Sequence, residues 1–434
     1  MSIRERMYPR DEELPILVRH CSDARYIWNL ALEQRNFWVR GRSQKISCNT
    51  QTRELAEARK ETWLREGSSA IQQQALRDLD KAFQNWWKRP DHFKRPTWRK
   101  VGIHEGFAIR DLSVDRLNRK WGQVLIPKCG WVKFRITREW SDITSASSAR
   151  VTQDRSGRWF VSFTRPAPQM ERVATGETVG LDMGIATTVT TSHGRSLNAP
   201  KLLSEGERQR KKRLQRKLSR QTTGSNRRKA TKLQIAKLSA KEADRRKDWV
   251  EKTTTELVRG YDVIAIENLK IKNMTRSARG TTERPGNNVK QKSGLNRSIL
   301  DQSWGVFRQR LTDKAINASV PVEVISINPA YTSQRCSMCG HIDKENRESQ
   351  AVFCCLLCGH TNNADVNAAQ NIIAAGLAVS GRGGISHATK HSDPVKRQLP
   401  IPVYAGVGSP IRKGGEDVTG YLWMLSARFP NCTY

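Results

Sequence analysis

Apolar residues recur every three or four positions through much of the first hundred residues, which predicts helices there. In SSAIQQQALRDLDKAFQNWW (68–87), Ile71, Ala75, Leu76, Leu79, Phe83 and Trp86 share one helical face, with Ser68 as the expected cap. The next stretch, KRPDHFKRPTWRK, alternates basic residues with Phe93 and Trp98, and Pro90 and Pro96 exclude a helix. From about 103 to 168 the period shortens. VLIPK, WVKFRIT and RWFVSFT read as strands and DRSG (154–157) as a hairpin turn. A small β-barrel or sandwich is expected, completed by the N-terminal residues, and 166–177 reads as a linker.

A second α/β region begins at 178. TVGLDMG and IATTVTT are expected strands, with HGRS closing a hairpin into a third. One long polar helical stretch is expected over 204–258, then the buried strand of YDVIAIENL. A basic, glycine-containing loop follows from 270 to about 294. LNRSILDQSWGVFRQRLTDKA is expected to form a helix, VPVEVISIN a strand, and DVNAAQNIIAAGLA an Ala-rich helix after a Cys-rich insert. Residues 381–434 lack periodicity and read as a disordered tail.

Charge narrows the partner. Seventy-six Lys and Arg against 42 Asp and Glu leave +34 over 434 residues. Self-repulsion of that size calls for a polyanion, so nucleic acid is the expected partner. A hydrophobic fraction of 37% still allows a sizeable core. No apolar run approaches a membrane span, and MSIRERMYPRDEE has no apolar leader stretch. Nine Cys, five of them in 336–358, point to metal binding in a reducing cytoplasm rather than to secreted disulfides. No GxxxxGK[ST], GxSxG or HExxH occurs.

Two constellations carry chemistry. Cys336-Ser-Met-Cys339 and Cys355-Leu-Leu-Cys358 are C-x-x-C knuckles, each followed by glycine, and four thiolates at that spacing suit a tetrahedral structural Zn²⁺. Register favours Cys355 as a ligand, while its neighbour Cys354 leaves a one-residue alternative open. The second constellation is acidic. Asp182 lies in a hydrophobic strand, Glu267 closes Val263–Ile266, and Asp365 opens the Ala-rich helix. A carboxylate at the end of a buried strand is costly without a partner. Three together suit two Mg²⁺ ions and phosphodiester hydrolysis. Hairpin with Asp, strand with Glu and helix with Asp is the order of a ribonuclease-H-like fold.

TVGLDMG, VIAIENLKIKNM, LNRSILDQSWG, PAYTSQRCSMCG and NADVNAAQNI resemble successive blocks of the TnpB family, the transposon-encoded RNA-guided nucleases, and of their descendants among the compact type V CRISPR effectors. The resemblance covers about residues 8–380. It implies a multidomain α+β protein with a wedge β-barrel (1–20 and 101–170) and an inserted helical recognition lobe (21–100). After a linker (171–177) come a RuvC-like nuclease (178–334 and 360–380) and a zinc-ribbon insert (335–359). It implies Asp182, Glu267 and Asp365 as catalytic Mg²⁺ ligands, and Cys336, Cys339, Cys355 and Cys358 as zinc ligands. It also implies a guide RNA, a double-stranded DNA target and a short duplex motif read by the protein. Members often carry an acid where Asn363 stands, and the first wedge strand is expected to be abbreviated.

For nucleic-acid contact, 208–247 holds 17 Lys or Arg against two acids. Arg210, Lys211, Arg213, Arg216, Lys217, Arg227, Arg228 and Lys229 are the expected phosphate contacts, against the alternative of a solvated charged helix. Trp98 is the expected stacking residue, and Gln73 the expected adenine reader. The 270–294 loop is expected to act as a lid. A nuclease-inactive RNA-guided repressor is the alternative function, but such a protein should lack one of the three acids. A transposase and a plain zinc-ribbon RNA-binding factor explain fewer of the motifs. The sequence leaves the oligomeric state and the origin of the guide open.

Overall fold

The computed structural model describes residues 2–37, 46–103, 105–165 and 169–382. From 383 onward the expected tail lies outside them, as do 166–168 of the expected linker. Strand β1 (Ser2–Met7) buries Ile3, Glu5 and Met7, and its alternation turns Arg4 and Arg6 to the other face. Helices α1 (Leu14–Asn36) and α2 (Cys48–Glu61), a 3₁₀ turn at Trp63–Glu66 and α3 (Ser69–Lys88) follow. Then come β2 (Gly106–Ile109), β3 (Val114–Arg116), β4 (Trp121–Ile126), β5 (Gly130–Arg135), the short α4 (Trp140–Thr144), β6 (Ser148–Gln153) and β7 (Trp159–Thr164).

These strands form one seven-stranded antiparallel sheet in the order β2-β6-β7-β1-β5-β4-β3. No pairing joins its two edges among the described residues. β1 is a central strand and pairs with β7 at all six positions, Ser2 to Met7. The predicted hairpin turn is present. Asp154 accepts hydrogen bonds from the Ser156 and Arg158 backbone, and Gly157 takes a φ of 82°. Helices and sheet share one hydrophobic core, from Leu17 and Leu79 to Phe107, Phe134 and Phe163. Ser68 stands at the N-cap of α3, but its side chain makes no capping bond.

The second region starts with β8 (Thr178–Asp182), β9 (Val189–Thr191) and β10 (Ser196–Leu197). It continues through α5 (Glu205–Ser219), α6 (Asn226–Gly260), β11 (Val263–Glu267), the short α7 (Ile271–Met274), α8 (Val289–Gln302), α9 (Trp304–Ile316) and β12 (Glu323–Ile327). The small hairpin β13 (Val352–Cys354) and β14 (Thr361–Asn363) precedes α10 (Ala364–Arg382). The sheet order is β10-β9-β8-β11-β12, antiparallel through the hairpin and parallel across β8, β11 and β12. Leu257, Phe307 and Leu311 pack with Val179 and Ile264 in one core, while Ile372 packs with Ala265, Ile325 and Ile327 in another. Close approach by α10 requires glycine on the sheet: a Cβ at Gly180 would lie 2.0 Å from the Ala369 carbonyl oxygen.

Four expectations change. The linker is anchored: the Arg172 side chain is fully buried, ion-paired with Asp262, and donates to the Val320 and Tyr261 carbonyls. The 204–258 helix is two helices, because Gly224 adopts a φ of 89° and Ser225 caps α6 by accepting from the Arg228 N–H. The expected 270–294 loop contains α7 and gives way to α8 at Val289, so its irregular part is shorter. The single helix expected over 295–315 breaks at Ser303, whose φ of 59° separates α8 from α9.

Candidate active site and metal centre

Adjacent parallel strands end together at the acidic site. Leu181 of β8 pairs with Ile266 of β11, so Asp182 and Glu267 follow on the next step of each strand. Asp365 lies in the first turn of α10, the helix packed on β8. The three carboxylates share a field. Burial first, then the charges of Glu267 and Asp365, push the Asp182 carboxyl from 3.8 up to about 7, opposed by Arg347 and the Met183 N–H. Burial also raises the Glu267 carboxyl, while a hydrogen bond from the Thr332 hydroxyl opposes that shift. That bond to Glu267 Oε1 measures 2.6 Å. Asp182 and Glu267 are the desolvated members of the group, and among the described residues only the four cysteines, not these acids, bring all their ligand atoms within 4.8 Å of one another.

Arg347, Thr332 and Asn363 carry roles at this site that sequence reading missed. The Arg347 guanidinium pairs with Asp365 Oδ1 at 3.2 Å and donates to the Ser349 and Gln350 carbonyls. Nothing in the sequence distinguishes Arg347 from the other surface charges of the insert. Thr332 lies within the PAYTSQRCSMCG block. Asn363 N-caps α10, accepting from the Asp365 and Val366 N–H groups at 3.0 and 3.2 Å, which gives the amide a local role where family members often carry an acid.

The four knuckle cysteines converge. Their sulfurs all lie within 4.8 Å of one another, with Cys336–Cys358 at 3.7 Å and Cys339–Cys355 at 3.6 Å. A tetrahedral zinc with sulfur ligands at about 2.3 Å requires sulfur–sulfur edges of about 3.8 Å, so the group fits Zn²⁺. Both knuckles use one backbone design. The Cys336 and Cys355 N–H groups bond the His341 and His360 carbonyls, and Gly340 and Gly359 bond back to Cys336 and Cys355. These glycines have φ of 79° and 67°. Cys354 lies in β13, outside the cluster that includes Cys355.

The expected nucleic-acid residues divide by exposure. Arg210, Arg213, Arg216, Lys217, Arg227 and Lys229 are exposed along α5 and α6. Lys211 instead pairs with Glu242 across the two helices, and Arg228 bonds the Leu218 and Gln221 carbonyls at the end of α5. A concavity of about 630 Å³ is lined by Arg213, Arg216, Lys217, Arg220, Gln221 and Arg227. Trp98 is half exposed, with its chain pinned by Trp28 bonding the Thr97 carbonyl and Asn29 bonding Arg99. Gln72 is buried against Asp23 and Arg59, Gln74 bonds Asp78, and Gln73 is half-buried. No described helix is long and apolar enough to cross a membrane.

Residues 157–278 match the OrfB_IS605 transposase family and 304–372 match the TNB domain of Cas12f1-like proteins. The chain is 36% identical over 366 residues to InsQ of Escherichia coli, named an RNA-guided DNA endonuclease, covering 83% of this chain and 88% of that one. The chain belongs to the TnpB family. A TnpB-family relative from Streptomyces pristinaespiralis, also named an RNA-guided DNA endonuclease, is 31% identical over 88% of this chain and 90% of its own. Similarity to the Cas12f1 endodeoxyribonuclease of Sulfoacidibacillus thermotolerans is local, 51% over 73 residues, covering 16% of this chain and 17% of that one. Among solved structures, Cas12f1 in complex with a guide RNA and target DNA superimposes with a TM-score of 0.54 at 14% identity, covering 83% of this chain and 82% of that one. This TnpB-family chain therefore shares its mixed α/β fold with a Cas12f1 effector.

Proposed function

We propose that the chain is an RNA-guided endonuclease that hydrolyses double-stranded DNA beside a short motif read by the protein. The observation that carries this reading is the placement of Asp182 and Glu267 at the ends of adjacent parallel strands, with Asp365 in the first turn of the helix packed on them, in a chain of net charge +34. RNA guidance comes from the family: InsQ carries it in its name, and the Cas12f1 structure holds both nucleic acids.

The five-stranded sheet with α10 would be a RuvC-like nuclease, and the 335–359 segment its zinc-ribbon insert. Asp182, Glu267 and Asp365 would hold two Mg²⁺ ions, which when bound supply an activated water and stabilise the departing 3′ oxygen. The chain's own contribution is placement. Strand ends fix Asp182 and Glu267, the α10 cap fixes Asp365, and the Thr332 hydroxyl holds one Glu267 oxygen. Arg347 holds Asp365 with a positive charge. Cys336, Cys339, Cys355 and Cys358 would use all four zinc positions, a structural arrangement with no open site. The exposed arginines and lysines of α5 and α6 would follow the backbone of an RNA–DNA heteroduplex, with Trp98 available for stacking.

Purifying the protein from cells carrying its own locus should yield one abundant structured RNA with a short variable end. The Asp182→Ala complex should keep that RNA and bind target DNA without cutting it. Recovery of only random cellular RNA would refute guidance, and cutting by Asp182→Ala would refute the assigned site.

A further inference from the structure

Three buried asparagines connect the zinc knuckles to the carboxylate site. Asn367 and Asn371 stand four residues apart on α10, on the same face, just beyond Asp365. Asn367 Nδ2 donates to the Arg335 carbonyl at 2.8 Å, and its Oδ1 accepts from the Ser337 N–H at 2.9 Å. The chain on both sides of Cys336 is thus fastened to α10. Asn371 donates to the Thr332 and Arg335 carbonyls at 3.0 and 2.7 Å. Thr332 in turn donates its hydroxyl to Glu267. Asn346, also fully buried, bonds the Gln334 carbonyl and the Leu356 N–H, joining the second knuckle to the same segment. Arg347, the next residue, reaches Asp365.

We propose that Asn371 and Thr332 are positioning residues: they register Glu267 and the first zinc knuckle against the helix carrying Asp365, so that the zinc-bound insert sets how these two carboxylates face each other. This rests on the nuclease reading above and deepens it. The buried Asn371 amide donates to two backbone carbonyls of the 332–335 segment. It acts by fixing the 332–335 segment, and with it the hydroxyl that orients Glu267. Groups that orient metal ligands in this way commonly change metal affinity by about 10–100-fold when removed.

The test uses the full chain with its co-purified RNA and reads Mn²⁺ binding by electron paramagnetic resonance, without target DNA and so without turnover. Thr332→Val and Asn371→Ala should each raise half-saturating Mn²⁺ by about tenfold while retaining zinc and target binding. Thr332→Ser, which keeps the hydroxyl, should bind Mn²⁺ as the parent does. Thr332→Val is close to isosteric and keeps the test decisive should Asn371→Ala fail to fold. Asp182→Asn should weaken Mn²⁺ binding in the otherwise native chain. If Asp182→Asn has no effect, the carboxylate reading fails and this proposal with it. If Asp182→Asn weakens binding while Thr332→Val matches the parent, the positioning proposal alone is overturned. Loss of Mn²⁺ affinity in Thr332→Ser equal to that in Thr332→Val also overturns it, because the hydroxyl is then not the cause.

Discussion

Arg347 lies 3.2 Å from Asp365 and lowers the Asp182 carboxyl against the two acids that raise it. The cation comes from the Cys-rich insert and the acids from the sheet and α10, so the insert supplies part of the electrostatic environment of the site. Arg347→Ala removes that opposing charge. Cleavage near neutral pH should fall, and the pH of half-maximal cleavage should move upward, because the Asp182 carboxyl then holds its proton more tightly. Target binding should persist. A pH–rate profile of the variant complex checks this, and an unshifted profile would place the role of Arg347 elsewhere.

Asp182 also makes stability depend on pH. Its folded-state value of about 7 exceeds the ordinary 3.8, so between these values the folded state binds the extra proton. Stability therefore falls as pH rises from about 4 to 7, by at most roughly 4 kcal/mol, and stays low above. Divalent cations held there, as proposed, would favour the ionised form and oppose the loss. Melting of the metal-free protein should show this decline, with Mg²⁺ raising Tm more at pH 8 than at pH 5. Asp182→Asn should flatten both trends.

Adjacent thiols separate the zinc assignment cleanly. Cys355→Ser removes a member of the four-sulfur cluster, whereas Cys354→Ser changes a β13 residue outside it. The first variant should lose zinc and unfold the insert at lower temperature. The second should keep about one zinc per chain, the content expected of a closed four-cysteine site. Metal analysis with thiol-specific zinc release reads both, and zinc loss from Cys354→Ser alone would reverse the register.

Much of this organisation is legible in sequence where one local pattern decides it. Alternation in β7, the 3.6-residue period of α3 and the repeated C-x-x-C-G are such patterns. Misread segments are those where the deciding interaction is remote. Arg172 reads as one charge in a Pro-containing linker, yet Asp262, ninety residues away, buries it. Lys211 and Arg228 have the same composition signal as their exposed neighbours, and only the antiparallel return of α6 shows their intramolecular partners. Helix breaks at Ser303 and Gly224 depend on single backbone angles that periodicity averages over. The acids are visible through their burial context, whereas Arg347 depends on the folding of the insert around the cysteines.

The Arg172–Asp262 pair gives a stability prediction independent of chemistry. Its arginine is fully buried while its aspartate is a quarter exposed. Asp262→Ala leaves the guanidinium with carbonyl partners but no counter-charge, which should cost about 3 kcal/mol. Replacing both residues by apolar ones should cost less than the single change. Denaturant titration of the variants checks the ordering, and equal stability of Asp262→Ala and the parent would show that the carbonyls suffice.

Exposed and engaged cations on the α5–α6 hairpin should behave differently. Arg216 and Arg227 line the basic concavity, so their joint replacement by alanine should weaken nucleic-acid binding and leave Tm nearly unchanged. The slope of log affinity against log salt should become shallower by about 0.7–0.9 for each phosphate that is no longer neutralised. Lys211→Ala and Arg228→Ala should do the reverse. Each removes a bond that joins α5 to α6 or closes their turn, so Tm should fall while the salt slope changes little. Parallel salt titrations and melting curves distinguish the two groups. A shallower slope in Lys211→Ala with unchanged Tm would mean that its pairing with Glu242 gives way when nucleic acid binds.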